Sequence, residues 1–291
     1  MAITFLPTIY SKRMIATLDK FLVAAKICNT DFVGDVVSGN TVKAMMPGDI
    51  TVYDYTKNTD LATPQVTTET VTTISIDQQK AVNFFLDQID LRQVPVNLQE
   101  AYFIRAMYAI RDTIDQFVFG QYVNVHANNK VTPALTLSST NVYAEIASLY
   151  RKLTDSKVPL DSRFLTVSPR VLEIMNAYLA GKSTPLGDNA TTNGYVGKFA
   201  GFDIYLSHNV PATAEDVSGT SSTEVVHNCL AGHPMGITLA KQIPLDGPGS
   251  LKVNFDPEKR FGTLVKGLTV YGGKMLYSGA ANGLLRAWWT S

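Results

Sequence analysis

The stretch TISIDQQKAVNFFLDQIDLRQ, Thr73 to Gln93, gathers groups that could do chemistry: Asp77, Asp87 and Asp90 beside Lys80 and Arg92. Carboxylates clustered with cations serve acid–base catalysis, hold a metal ion, or form a charged face toward another protein. Acid–base work needs two carboxyl groups brought together and an apolar pocket that shifts one pKa. As a strand, the stretch puts Asp77, Gln79, Ala81, Asn83 and Phe85 on one face and continues it to Asp87. As a helix it pairs Asp77 with Lys80 at i, i+3, worth only about 0.2–0.5 kcal/mol. Neither geometry makes a dyad, and no His or Cys stands close in sequence to complete one. A second ligand-like set is HNCLAGH, with His227, Cys229 and His233. Structural zinc takes four ligands and catalytic zinc three plus water. Here a fourth ligand is missing, and a strand over 227–230 with a turn at Gly232 accounts for the segment. The sequence contains no dinucleotide fingerprint, P-loop, nucleophile elbow, HExxH or paired CxxC. No catalytic role, cofactor or metal is therefore expected, and the carboxylates read as a solvated or interfacial charge face.

The elements around this stretch say what it is for. The chain has 291 residues, 45% hydrophobic and 17% charged, so it builds a real core and is not a disordered tract. Lys plus Arg and Asp plus Glu number 25 each, so no overall field draws it to nucleic acid or an anionic membrane. Residues 1–30 are a local exception, with Lys12, Arg13, Lys20 and Lys26 against Asp19, and read as a solvated arm. Within them, Met14, Leu18, Leu22 and Ala25 have helical spacing, for a helix or an arm that docks on something. Two cysteines far apart, Cys28 and Cys229, frame no disulfide and fit a reducing compartment. No apolar run reaches the length of a membrane span or makes a signal peptide.

NTVKAMM and ITVYDY read as strands, as does the Thr/Val-dense PQVTTETVTTISI. TKNTDLATP between them is a polar turn. Neither face of this hairpin is strongly apolar, and an isolated hairpin is marginal in water, so something outside its own fold must hold it. NLQEAYFIRAMYAIRDTIDQFVFGQY is the best helix signal. Asn97 serves as N-cap, Glu100 follows three residues on, and Gly120 is a stop. Phe103, Met107, Ile110, Ile114 and Phe117 recur in steps of 4, 3, 4 and 3 and form its apolar core stripe. Over 97–120 that helix is roughly 36 Å long, a spine. Its opposite face carries Glu100, Arg105, Arg111, Asp112 and Asp115, read as solvated or contact-making. Further on, NVYAEIASLYRKL reads as a helix with Ile146, Leu149, Tyr150 and Leu153 inward. RFLTVS is a strand, and SPRVLEIMNAYLAG is a helix opened by Ser168 and Pro169 and closed by Gly181. This α–β–α order argues for an inserted α/β subdomain, and the C-terminal part reads as two or three strands with Gly turns.

The order GNTVKAMMPGDITVYDYTKNTDLATPQVTTETVTTISIDQQKAVNFFLDQIDLRQ, then AIRDTIDQFVFGQY, RFLTVSPRVLEIM, GKFAGFDIYLSHNVP and GLTVYGGKMLY, resembles the major capsid proteins of tailed bacteriophages from about Asp31 to Tyr277. The resemblance implies an α+β fold of Hong Kong 97 type. An N-terminal arm would take 1–38. A peripheral domain would take 39–132 and 256–291, with an extended two-stranded loop over about 45–76 and the spine helix over about 97–120. An axial α/β domain would take 133–255, with a mobile loop near 181–197. It also implies a virion shell of pentamers and hexamers around double-stranded DNA, which lies on the inner face by weak non-specific contact. The chain would be made in the host bacterial cytoplasm, with a portal, a separate scaffolding protein (only about thirty residues precede the fold) and no membrane partner. Lys57 at the hairpin tip is the obvious donor for any Lys–Asn cross-link. Candidate contacts between subunits are Tyr53, Asp54, Lys57, Asp60, Asp77, Lys80, Asp87, Asp90, Arg92, Glu100 and Arg111. Alternatives are a bacterial nanocompartment (encapsulin-like) shell protein, an α/β enzyme using Asp77, Asp87 or Asp90, and a tail or adaptor ring.

Overall fold

The computed structural model describes residues 19–20, 22–31, 39–93, 98–130, 135–180, 197–215, 224–243, 252–255, 261–276 and 284–290. Its architecture is mixed α+β, organised by one long strand. β1 (Thr41–Pro47) and β2 (Glu69–Ser75) form an antiparallel hairpin in register from Thr41 opposite Ser75 to Pro47 opposite Glu69. The chain then runs through β3 (Gln78–Asp87) into a short helix, α2 (Gln88–Gln93). The carboxylate-bearing stretch is thus strand first and helix second. β12 (Gly262–Met275) carries β3 along one edge. Its other edge takes β11 (Lys252–Phe255) and then β10 (Ile237–Ile243).

The larger sheet has the order β4–β13–β9–β5–β7–β6, and β8 also pairs with β9. In chain order these are β4 (Leu135–Thr136), β5 (Phe164–Val167), β6 (Lys198–Phe199), β7 (Phe202–Leu206), β8 (Ala212–Glu215), β9 (Glu224–Gly232) and β13 (Leu284–Thr290). β5 and β7 are parallel, as strands joined through a crossover helix must be, and α5 (Pro169–Ala180) is in that connection. The Ser168 hydroxyl accepts the Val171 amide at 3.4 Å at the start of α5. α4 (Val142–Asp155) buries Val142, Ile146, Leu149 and Leu153, while Tyr150 is half-buried. Its last turn is closed by Arg163, which is 1% exposed. The guanidinium donates to the carbonyls of Tyr150, Val158 and Pro159 and to the Thr154 hydroxyl, and lies 4.4 Å from the Tyr150 ring centroid. A buried cation held by carbonyls at a helix C-terminus is favoured by the helix dipole.

The spine is α3 (Leu98–Gly120), 23 residues and roughly 34 Å long. The expected cap Asn97 lies outside the described residues. Gly120 does not break the helix in a left-handed turn. It keeps helical angles, and the chain tightens into a 3₁₀ turn over Gln121–Asn124. Met14, Leu18, Gly181 and the expected axial loop near 181–197, except residue 197, also lie outside the described residues. What is described of the arm's helix is α1 (Ala24–Ile27).

Strand partners depart from the expected division in two places. β10 and β11 belong with β12 and β3, so the chain leaves the larger sheet before Ile237 and not near 255. β13 belongs to the larger sheet, lying between β4 and β9. An alternating pattern announces a strand; only the ladder decides which sheet it joins. The hairpin differs as well. Its ladder starts at Thr41, and ITVYDY forms no strand, because residues 48–68 are not paired beyond the hairpin mouth.

β12 also crosses beneath the hairpin root. An ideal Cβ placed on Gly272 would sit 2.0 Å from the Ser75 carbonyl oxygen and 2.7 Å from the Ile76 α-carbon. Both are backbone atoms, which cannot swing aside as a side-chain end does. Gly272→Ala is therefore expected to destabilise the fold by about 1–3 kcal/mol, read in urea denaturation. It should also tilt the hairpin, read as faster proteolysis within 41–76.

Candidate assembly surfaces

The hairpin ends in an open loop. The Gly48 amide donates to the Thr68 carbonyl at 2.8 Å, closing its mouth. One step out, the Gln65 side chain spans both sides, accepting the Thr51 amide at 2.8 Å and donating to the Asp49 carbonyl at 3.1 Å. At the tip Lys57 and Asn58 turn the chain, with Asn58 at φ 67° and the Thr59 amide bonded to the Thr56 carbonyl. Every residue from 49 to 68 is exposed, including Tyr53, Asp54, Lys57 and Asp60. So are Ile50 (77%), Val52 (92%), Leu61 (72%) and Val66 (84%). Covering four aliphatic side chains of this size is worth roughly 6 kcal/mol before ordering costs. Residues 50–55 read as strand because they alternate, but their apolar members face water here.

The root is fixed where the tip is free. Ile74, Ile76 and Ala44 pack with Ala240 and Leu276 in a small separate core, flanked by Val42 and Val270. Lys274 donates to the Thr73 carbonyl at 3.0 Å, and Gln242 to the Gly39 carbonyl at 3.1 Å.

The carboxylates of the 73–93 stretch do not converge. Asp77 and Asp87 lie at opposite ends of β3, roughly 30 Å apart at the rise of a strand, too far for the two-carboxylate geometries of acid–base catalysis. Asp77 is exposed and accepts from the Gln78 amide group at 3.1 Å. Lys80 is exposed opposite Thr269. Asp87 is half-buried and accepts the Ile89 amide at 2.8 Å, capping α2. Asp90 and Arg92 are exposed on that helix, Glu100 on the first turn of α3, and Arg111 farther along it, beside a cavity of about 380 Å³ between arm and spine.

His227 and Cys229 lie on β9, and His233 follows it, its ring nitrogen accepting the Met235 amide. Among the described residues no three His, Cys, Asp or Glu side chains are placed to hold a metal ion. Both cysteines are buried, and burial pushes the Cys229 thiol up to about 12 and Cys28 higher still. A thiol with a raised pKa stays protonated, hence unreactive, through neutral pH. Alkylation by iodoacetamide at pH 8 is expected at neither cysteine until the chain is unfolded, as mass spectrometry would show.

On the spine, Ile110 and Ile114 are buried, and Phe103, Met107 and Phe117 are half-buried. Phe103 meets Phe84 of β3 edge-on at 6.3 Å, and Phe117 meets Tyr271 of β12 at 5.4 Å. Asp115, read from the sequence as part of the polar face, is instead fully buried. One oxygen accepts the Val23 and Ala24 amides at 2.8 and 2.7 Å, so Asp115 caps α1. The other accepts the Asn209 side-chain amide at 2.9 Å and the Ser207 hydroxyl at 3.4 Å. Around it, Lys20 reaches Asp112 at 3.4 Å and Asn209 at 3.0 Å, the Lys20 amide donates to the Tyr108 hydroxyl, and Arg105 pairs with Asp19. Asn29 then bridges to β10 through the Ile237 carbonyl and the Leu239 amide. The arm from 22 to 31 therefore docks on its own chain. A sequence clue existed: Asp115 directly follows Ile114 and precedes Val118 by three, at the edge of the buried stripe. Its partners, some ninety residues away, did not show.

Asp115→Ala would strand several buried donors, a loss of roughly 3 kcal/mol. Urea denaturation would measure it, and limited proteolysis should cut sooner within 19–31.

No family model and no curated protein sequence matches the chain. Solved structures do match it in fold. It has the fold of phage capsid proteins. A structure from Mycobacterium phage Che8 aligns at a TM-score of 0.79 with 23% identity, covering 98% of this chain and 97% of that one. The capsid structure of cyanophage P-SCSP1u aligns at 0.73 and 16% identity, covering 98% and 93%. The capsid of the Myoviridae phage XM1 aligns at 0.62 and 15% identity, covering 96% of each chain.

Proposed function

We propose that the chain is the major capsid protein of a tailed bacteriophage, copies of which form an icosahedral shell of pentamers and hexamers around double-stranded DNA. The observation that carries this reading is the loop over 49–68, exposed throughout and apolar at Ile50, Val52, Leu61 and Val66, on a root locked into a rigid sheet. Such a loop has nothing of its own to cover it. Phage capsid structures that share the fold over nearly the whole chain supply the kind of assembly in which a neighbouring copy would. The work is then geometric. β12 and the spine set the angle of the loop; Tyr53, Asp54, Lys57 and Asp60 meet the neighbour; many repeated contacts sum to a stable shell. The peripheral part would comprise β1–β3, β10–β12 and α3, and the axial part β4–β9, β13, α4 and α5. A portal, a scaffolding protein and weak DNA contact on the inner face complete the reading, in a virion made in the bacterial cytoplasm. No described helix is long and apolar enough to cross a membrane.

The Gly48–Thr68 bond shows where to cut. Replacing residues 50–66 by a two-residue Asn-Gly turn keeps the ladder and its mouth. The variant is expected to fold, with unchanged circular dichroism, and to form no closed particles by negative-stain microscopy where the parent chain does. Wild-type shells loaded with a cargo protein would support a nanocompartment instead. Variant particles as abundant as wild type would overturn the role of the loop.

A further inference from the structure

Away from the loop, one large side chain stands out. Phe261 is 81% exposed, and Ile89, one residue past the Gln88 amide that bonds the Phe261 carbonyl, is 63% exposed. Phe261 is held there by design of the backbone. The Gln88 amide at the start of α2 donates to the Phe261 carbonyl at 3.4 Å. The next residue, Gly262, has φ +148°, and any Cβ on it would lie 2.2 Å from the Leu86 carbonyl. Only glycine fits that turn, which follows directly on Phe261. α2 is itself fixed by the Asp87 cap on the Ile89 amide. Phe261 and Ile89 thus stand exposed beside a backbone turn that only glycine can make.

The charges beside this knob say what it meets. Asp90 and Arg92 are both exposed, and neither has an ion-pair partner among the described residues. Two positions apart on a helix, they point about 200° from each other around its axis. They are therefore not a pair within one chain. An isologous two-fold contact would need both on one face. Opposite charges on opposite flanks of one apolar knob fit a head-to-tail arrangement, in which the cation of each copy meets the anion of the next and the ring closes. We propose that α2 and Phe261 form such a homotypic contact, with Arg92 of one copy facing Asp90 of the next around an apolar centre of Phe261 and Ile89. The proposal rests on the shell reading and adds to it a second contact point, independent of the loop. The patch is small, so the contact is weak alone and is populated only when other contacts hold the copies together.

Charge reversal tests this. Asp90→Arg and Arg92→Asp are each expected to reduce the yield of sedimenting particles roughly tenfold, because like charges then face each other around the ring. The double variant Asp90→Arg/Arg92→Asp restores opposite pairing and should bring the yield back to within about twofold of wild type. Phe261→Ser should lower yield without changing the melting temperature, since an exposed side chain contributes little to the fold. The chain is expressed with the genes that flank it. Wild-type chain that makes no particles would overturn the shell reading and this contact with it. Wild-type particles together with undiminished single variants, or a double variant no better than the singles, would overturn the contact alone.

Discussion

The backbone of β12 is the constraint on which the other elements depend. β3 pairs along it from Gly262 to Tyr271, and β11 and β10 share its other edge. The hairpin root lies across it at Gly272, closer than any side chain would allow. A ladder of this length is stiff because its hydrogen bonds break only together. Stiffness is what an exposed loop needs if it is to reach a neighbour at a set angle. The 48–68 segment has few internal bonds, so its direction comes from the strands behind it. Moving Gly272, which belongs to no contact surface, would therefore misdirect side chains far out on the loop.

A second tie joins what the ladder leaves separate. Asp115 on the spine accepts from the arm at Val23 and Ala24 and from the turn after β7 at Asn209 and Ser207. One buried carboxylate thus fastens the arm, the spine and the larger sheet's β7 turn. A buried carboxylate is costly unless its lone pairs are filled, and here backbone and amide donors fill them. The tie is correspondingly specific. An aliphatic residue of similar volume would pack but leave the α1 amides without an acceptor. Arm and spine then hold one relative position.

Much of this was legible in the sequence where the signal is local. The 4-3-4-3 spacing from Phe103 to Phe117 marked the spine, Ser168 and Pro169 marked the start of α5, and the Thr/Val-rich segment marked a strand polar on both sides. What was not legible is non-local. Alternation in 237–243 and 284–290 announces strands, but which sheet each joins depends on partners many residues away. ITVYDY alternates like a strand, yet a strand needs a partner and it has none among the described residues. Asp115 sits among Arg111 and Asp112, so charge patterning placed it outward. Its real environment is set by amides of the arm, which no periodicity in the helix encodes. The exposure of Phe261 is not legible in the sequence either, because it depends on where Gly262 turns the chain.

The placement of exposed apolar groups also bears on how copies come together. The most exposed of them, Val52, Val66 and Phe261, stand on the loop and beside α2, on a chain whose charges balance. A single broad apolar face would drive association in any orientation, whereas small patches on rigid mounts allow only orientations that satisfy several at once. If copies assemble as proposed, each contact alone would be weak and reverse quickly, so a wrongly placed copy would leave before others lock it in. In the proposed shell, only a correctly closed set of neighbours would engage loop and knob together, and the combined dissociation would become slow. The carboxylates that first resembled an active site have their place in that scheme. Asp87 caps α2 through the Ile89 amide, and in the proposed contact Asp90 would give one flank a sign, so that the charge pattern would select which side of the next copy it accepts.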